Sequence, residues 1–552
     1  MFYLKMIIII FIFFTSGFDA FPRGLQVYED LKPGKYPVGF QLQEVSDFSR
    51  VYPSGLSERL TSRVIRVYLW YPAQSAGKQP MILKDYVNMA AADFFPGDRS
   101  QQDQDDSSFW PVPLKKGISK QLLTKILKEN TISYKEVPGA KGPFPLIVLG
   151  QGLFYESTLS HFILCEFLAS HGYVMVTCPL KGSHYRLVNR HAGDLETQVR
   201  DLEFVLGHAI QQPFVDADKI GVMGYDMGGL AGLLMVMRNS HIKVFLSMDS
   251  AVNYEHLPIP KDHFSYRENN FTIPWMHMMQ SRFVDYFENQ LKQQSLIKRK
   301  KYGPSYLVKV PTTNHGCFTS YAALGLQNPV RGYWESIEKN LKDLHVRICR
   351  QARLFLDAYL KDDKESLLTL TQKSGGNDLS GALLTCDYKA GVAAPPRFDG
   401  LVHSIISRGF KEVNEEIEQL RKTHAPRAPF TNILKKHAKN KSIGDDAPKE
   451  NHQADREWVG GATPLFDEEV LDWLGYHFLL WWDRPREGLE VFKLNTRLFP
   501  DSANAFDTLG WAYLTLGDKE NAISSYRKSL QLNPKNKNAE TKLKELLEKA
   551  FD

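Results

Sequence analysis

Three side chains that could together perform nucleophilic catalysis stand in order along this chain: Asp226, Asp249 and His315, 23 and 66 residues apart. A carboxylate can attack an electrophilic carbon, an imidazole can take a proton from water, and a second carboxylate can hold that imidazole in one tautomer. Each of the three follows a stretch that reads as a strand. Ile220 and Val222 lead through Gly224-Tyr225 to Asp226, and an apolar, proline-free run over Leu230–Met237 follows, suited to a helix under a sheet. The pattern is strand, sharp turn, helix. Small residues at Gly224 and Gly228 flank the turn, so the central side chain would stand above the sheet at a helix N-terminus. Taken singly, each residue has an ordinary reading: a solvated Asp in a glycine-rich turn, an Asp capping a strand end, a His in an Asn-His-Gly turn. All three in this order at the ends of predicted strands point to a site.

Negative charge that develops on a reacting oxygen needs donors. The backbone N–H of Met227, at the helix start, and that of Leu153, in the turn Gly150-Gln-Gly-Leu153, are the candidates. Neither role depends on the side chain.

The elements that must position these groups begin with alternating segments over Pro37–Phe40, Asp47–Arg50 and Ser62–Pro72, which predict an antiparallel hairpin. Residues 80–140 are less regular, and Asp98–Ser108 reads as an exposed polar loop. From Phe144 a βαβ alternation sets in: strands over Pro145–Leu149, Tyr173–Cys178, the stretch before Asp226, Val244–Met248, Pro274–Gln280 and Tyr306–Val310. Helices are expected over Leu159–Ser170, Asp194–His208 and His345–Leu360. The fold class is therefore α/β, a mainly parallel sheet with helices on both faces.

With these segments in view the chain resembles α/β-hydrolases of the platelet-activating-factor acetylhydrolase and dienelactone-hydrolase-like group. The resemblance spans about residues 36–362, through Leu69-Trp-Tyr-Pro72, Ala169-Ser-His-Gly-Tyr173, the Asp226 turn, Ser247-Met-Asp249 and His315-Gly-Cys-Phe318. It implies an α/β-hydrolase fold, an ester or lipid-type hydrolase, Asp249 as orienting acid and His315 as base. Two positions depart from that group: Asp226 stands where it has Ser, and Gln151 where it has His. An acid anhydride formed by carboxylate attack on an ester would be reactive and uphill, whereas attack at a saturated carbon gives an alkyl ester that a His-activated water can cleave. Gly-Tyr-Asp-Met-Gly-Gly is similar to the corresponding turn of haloalkane dehalogenases and epoxide hydrolases, which implies that chemistry. Met227 and Leu153 stand where dehalogenases have halide-holding and polar residues. A third reading is a non-catalytic protein in which Asp226 and Asp249 hold His315 as an imidazolium ion.

The chain's 552 residues, 43 % apolar and 24 % charged, predict more than one globular domain. A net charge of +5 is too small and dispersed to imply a nucleic-acid partner. Met1–Lys5 followed by the apolar Met6–Phe14 and a small-residue stretch to Ala20 predicts a signal peptide, with an uncleaved anchor as the alternative, and a secreted or periplasmic protein without an integral span if the leader is cleaved. The five cysteines are odd in number and scattered, and the sixteen histidines show no ligand spacing, so no disulfide framework, metal site or cofactor is expected. Asn270 and Asn440 begin Asn-x-Ser/Thr triplets.

The expected organisation is a leader over 1–20, a hydrolase domain over 24–363, a connector over 364–463 with a charged helix at Lys411–Arg421, and helical repeats over 464–552. Leu509-Gly510, Tyr513, Ala522, Tyr526 and Pro534 have tetratricopeptide spacing; Leu474-Gly475, Phe478, Gly488, Phe492 and Pro500 match it one period earlier, with Pro500 and Pro534 34 residues apart. So few repeats bury little core alone, which predicts packing on the hydrolase domain or on a second copy, with a peptide-binding groove as the alternative. The expected partners are thus a small molecule or lipid at the site and a protein at the repeats.

Overall fold

The computed structural model describes residues 24–53, 60–94, 120–152, 160–183, 192–254, 263, 265–292, 294–311, 315–324, 341–372, 384–394, 405, 408, 468–481 and 484–548. The predicted leader, the Asp98–Ser108 loop, Leu153, the Lys411–Arg421 helix and Asn440 lie outside them. The chain forms two compact units, Met1–Val392 and Ala393–Asp552.

The first unit is built on a ten-stranded sheet in the order β10-β9-β8-β7-β6-β4-β5-β2-β1-β3. The strands are β1 (Val38–Pro53), β2 (Leu60–Pro72), β3 (Ser133–Lys135), β4 (Phe144–Gly150), β5 (Val174–Thr177), β6 (Val215–Tyr225), β7 (Ile242–Met248), β8 (Trp275–Gln280), β9 (Ser305–Val310) and β10 (Thr385–Lys389). β4 to β9 are mutually parallel. β1 and β2 form the expected antiparallel pair, joined to the parallel strands where β2 meets β5. The β1 register slips between Asp47 and Val51, so the two alternating stretches read from the sequence are one long strand with a bulge.

Strand alternation divides the core in two. Ile147, Leu149, Met223, Tyr225, Leu246 and Met248 face one side and pack with the helices Phe162–Ser170 and Leu341–Leu360. Leu146, Val148, Val222 and Phe245 face the other, with the helices Ala192–Ala209 and Met227–Arg238. Because both faces are covered, β4 is buried at every residue, and its sequence is continuously apolar rather than alternating. Strand order reverses at β4: β5 lies on one side of it and β6 on the other, which opens a crevice beyond their carboxyl ends.

Several elements were not predicted from the sequence, among them two helices and one edge strand. The helix Leu83–Phe94 lies in the stretch read as irregular. The helix Lys364–Gln372 and β10 lie in the expected connector, and β10 pairs antiparallel with β9 from Lys309 to Ser305. The first unit therefore runs to Val392, past the boundary expected at 363. The physical reason is that β9 would otherwise present an unpaired edge. β10 covers it with a segment whose alternation, Cys386 buried between exposed Thr385 and Asp387, is too short to register as a periodic signal.

The second unit contains antiparallel helix pairs. Glu468–Tyr476, prolonged to Trp481 by a wider turn, packs on Pro485–Leu498; Ala503–Thr515 packs on Lys519–Leu532; Lys537–Glu548 follows. A Cβ at Gly475 would come within 2.6 Å of the Phe492 ring, and one at Gly510 within 2.9 Å of Tyr526. The aromatic of each second helix thus sits in a notch left by a glycine on the first, as the repeat spacing requires. Among the described residues, no helix is long and apolar enough to cross a membrane.

Candidate active site

The carboxyl ends of β6, β7 and β8 lie level, with Tyr225 opposite Met248 and Met248 opposite Met278. Asp226 follows β6, Asp249 follows β7, and Gln280 closes β8. Parallel strands in this register deliver three polar side chains to one rim.

Asp226 has φ 49° and ψ −118°, a region that residues with a Cβ avoid, at a cost of roughly 1–3 kcal/mol. It is the pivot between β6 and the helix Met227–Arg238. The turn is held by the Asp226 N–H donating to Met248 O at 3.1 Å, and by Asp226 O accepting from Gly229 N at 3.1 Å and Ser250 Oγ at 2.5 Å. The glycines explain how it fits. A Cβ at Gly228 would stand 2.2 Å from the Gly150 carbonyl, and one at Gly224 2.3 Å from Gly228 O, so the helix start meets β4 backbone to backbone. Gly152 likewise abuts the Asp226 Cβ, where its own Cβ would come within 2.7 Å. Met227 heads the helix, where first-turn N–H groups lack intrahelical acceptors.

Asp249 also has a positive φ, 43°. Its side chain is 2 % exposed, and its Oδ2 lies 2.5 Å from His315 Nδ1. Gln280 donates to the same carboxylate twice, through Nε2 to Oδ2 at 2.6 Å and through its backbone N–H to Oδ1 at 3.3 Å. Beneath Asp249, Trp275 Nε1 donates to Ser247 Oγ at 2.9 Å, and that oxygen lies 2.8 Å from His277 Nδ1. Burial pushes the His277 pKa down to about 3 against the opposing charge of Asp249, so this imidazole is neutral filling.

His315 opens the one-turn helix His315–Phe318 after β9. Its ring stacks on Tyr225 with centroids 4.5 Å apart and planes 22° from parallel, and the Tyr225 hydroxyl donates to the His315 carbonyl at 3.2 Å. Burial alone would lower the His315 pKa. The Asp249 hydrogen bond, the Asp249 charge and the Asp226 charge outweigh it, and the pKa is raised. Asp226 is therefore close enough to act on the imidazole that Asp249 orients.

The turn after β4 is held by side chains. Gln151 Nε2 donates to Thr177 Oγ1 at 2.9 Å and its Oε1 lies 3.1 Å from His161 Nδ1, which makes Nδ1 the protonated ring nitrogen of His161. His161 is fully buried, packs edge-on against Tyr225, and is kept neutral by burial and by the charges of His345 and His315, with its pKa pushed down to about 3.

The structure thus joins Asp249 to His315, brings the Asp226 charge to bear on the same ring, and makes Gly224 and Gly228 the contact glycines of the turn; Leu153 is not described. The sequence reading missed Tyr225, Gln280 and His161. Gln280 closes a strand that the sequence predicts, but only the pairing of β7 with β8 brings it beside Asp249. Tyr225 occupies a turn position open to any side chain, so nothing in the pattern singled it out. Asn270 is buried and donates to Met237 O at 3.0 Å, which closes it as a surface attachment point. Among the described residues no His, Cys, Asp and Glu group could hold a metal.

Residues 161–294 match the prolyl oligopeptidase family, and residues 503–536 match the tetratricopeptide repeat. The first match contains Asp226, Asp249 and Gln280 and ends before His315. Among solved structures, a ferulic acid esterase from Streptomyces cinnamoneus is similar at 17 % identity and TM-score 0.44, covering 64 % of this chain and 96 % of that one. No curated protein matches significantly. The chain is an α/β-hydrolase-fold protein with a tetratricopeptide segment at its C-terminal end.

Proposed function

We propose that this chain is a hydrolase in which Asp226 is the nucleophile, His315 the base and Asp249 the acid that orients it. The observation that carries the reading is the strained backbone at Asp226, set beside an intact His315–Asp249 pair. A turn that costs free energy supports a role for the side chain it holds above the strand ends. Because carboxylate attack on an ester carbonyl leads uphill to an anhydride, the proposed substrate has a saturated electrophilic carbon. An Asp226 oxygen bonds to that carbon as the leaving group departs with its electron pair. Water then adds to the Asp226 carbonyl carbon while His315 takes its proton, and collapse releases the alcohol and restores the carboxylate. Alkylation also removes the Asp226 charge that helps to hold a proton on His315, which frees the ring to act as the base in the second step. The N–H groups of Met227 and Leu153 are the proposed donors to the oxyanion.

The similarity to the platelet-activating-factor acetylhydrolase and dienelactone-hydrolase-like group supports an ester-cleaving ancestry with an altered nucleophile. The apolar segment Met6–Phe14, read as part of a leader, supports export, and the repeats support a protein contact. Asp226→Asn is expected to abolish turnover, and His315→Gln to trap an alkyl-enzyme adduct visible by intact mass with styrene oxide or a haloalkane. Absence of an adduct across both substrate types would overturn the nucleophile role.

A second reading has its own observation: two carboxylates raise the His315 pKa against the effect of burial, the direction expected of a structural ion pair. Asp226→Ser separates the two. Recovery of p-nitrophenyl acetate cleavage indicates an aligned hydrolytic site, and silence in a folded variant favours a binding or scaffolding protein.

A further inference from the structure

Asp249 is a carboxylate with almost no access to water, and such a group is tolerable only when donors replace the lost hydration. His315 supplies one of them, on the very oxygen that must hold the ring. Two more come from Gln280, which is itself 1 % exposed. The amide of Gln280 is oriented with its nitrogen toward Asp249, and its buried Oε1 has no hydrogen-bond partner among the described residues. A buried amide that leaves its own oxygen unpaired while making a 2.6 Å bond to a carboxylate is placed for that carboxylate.

Backbone geometry agrees. Asp249 N–H donates to Met278 O at 2.7 Å, the last rung between the β7 end and β8, and Gln280 lies two residues on, where β8 turns into the helix Ser281–Asp285. Asp249 has left the strand with φ 43°, so the ladder no longer dictates where its carboxylate points. Gln280 grips one oxygen with its backbone and the other with its side chain, which fixes the carboxylate plane against rotation.

We infer that Gln280 is a positioning residue: it clamps the Asp249 carboxylate so that Oδ2 meets His315 Nδ1, and it shares the negative charge that would otherwise fall wholly on the imidazole. The inference deepens the hydrolase reading and rests on it for its kinetic consequence; the orientation of His315 can be read without any turnover.

The test uses the full chain with nitrogen-15-labelled histidine, the His315 ring signals being assigned by their loss in His315→Gln. In Gln280→Leu the side-chain donor is gone and Asp249 is less neutralised, so the His315 pKa is expected to rise by about one unit relative to the unsubstituted chain. With styrene oxide as probe, kcat is expected to fall about tenfold with KM little changed, the mark of a mispositioned base. Gln280→Met, unbranched and of matching length, serves if the leucine variant does not fold. A His315 titration in the folded variant that overlays that of the unsubstituted chain overturns the proposal and leaves Gln280 as core filling. If no adduct forms with any probe but the titration shifts, the clamp stands and the hydrolase reading falls. If adducts form and the titration does not move, the reverse holds.

Discussion

His315 is where the charges of the site converge, and its titration follows from three neighbours. Its raised pKa has a direct sign consequence: the native pair is stabilised fully below the ordinary histidine pKa, and that stabilisation is lost as pH rises through the raised folded-state value. Asp226→Asn removes one of the two charges responsible, so the variant's His315 pKa is expected to fall while the Asp249 bond persists. An unchanged imidazole titration by NMR would show that Asp226 lies too far from the ring to communicate with it. Tyr225 contributes by packing. Tyr225→Phe keeps the stack and loses one hydroxyl bond to a carbonyl, a cost of about 1 kcal/mol, whereas Tyr225→Ala removes a fully buried ring and should cost about 3–5 kcal/mol in urea unfolding. Near-equal losses would mean that the stack contributes little.

At the scale of elements, the site depends on how closely β4 and β6 approach the helix after Asp226. Gly228→Ala would force a methyl group into the Gly150 carbonyl, and because both partners are backbone, neither can swing aside. The variant is expected to lose at least about 2 kcal/mol of stability and to misplace Asp226 even where it folds. Thermal melting within a degree of the unsubstituted protein would contradict that packing argument. In the repeats, Asp472 accepts from Asn495 on the second helix of its own pair at 2.8 Å, and from Thr508 at 2.8 Å and Asn504 at 2.7 Å on the first helix of the next pair, tying the two pairs together. Burial, reinforced by Glu468, nevertheless pushes its pKa up to about 7 against these bonds. An aspartate raised in the folded state binds its proton more tightly there than when unfolded. Repeat stability is therefore expected to fall as pH rises from about 4 to about 7 and to level off above that. A helical melting profile of the Asp472→Asn variant that keeps the same pH slope would assign the slope to another group.

For the whole molecule, the position of β10 decides where the first unit ends. A chain ending at residue 363 leaves the outer edge of β9 unpaired and omits the helix Lys364–Gln372, whereas one ending at Val392 keeps that helix and the β10 pairing. The shorter chain is expected to melt several degrees lower and to aggregate through its open edge. Equal melting temperatures would make β10 dispensable. The repeats form a separate unit with small cores around Leu474, Phe492 and Tyr526. Stacked repeats gain stability from each neighbour, so a protein contact on this unit would supply burial that its own helices do not.

By itself the sequence determined the parallel core strands, the turn at Asp226, the order Asp226, Asp249, His315 at the strand ends, and the repeat toward the chain's end. All of these are local: apolar runs, glycine placement and fixed spacing are properties of short segments, and each is set by backbone sterics and side-chain periodicity. Tertiary structure alone decided that Asp249 meets His315, that Tyr225 carries the ring, that Gln280 grips the carboxylate and that β10 closes the sheet. These contacts join residues 31 to 90 positions apart. Only when strands are laid side by side in register does a residue closing one strand become the neighbour of a residue closing the next, and a single sequence carries no mark of which strands will be adjacent.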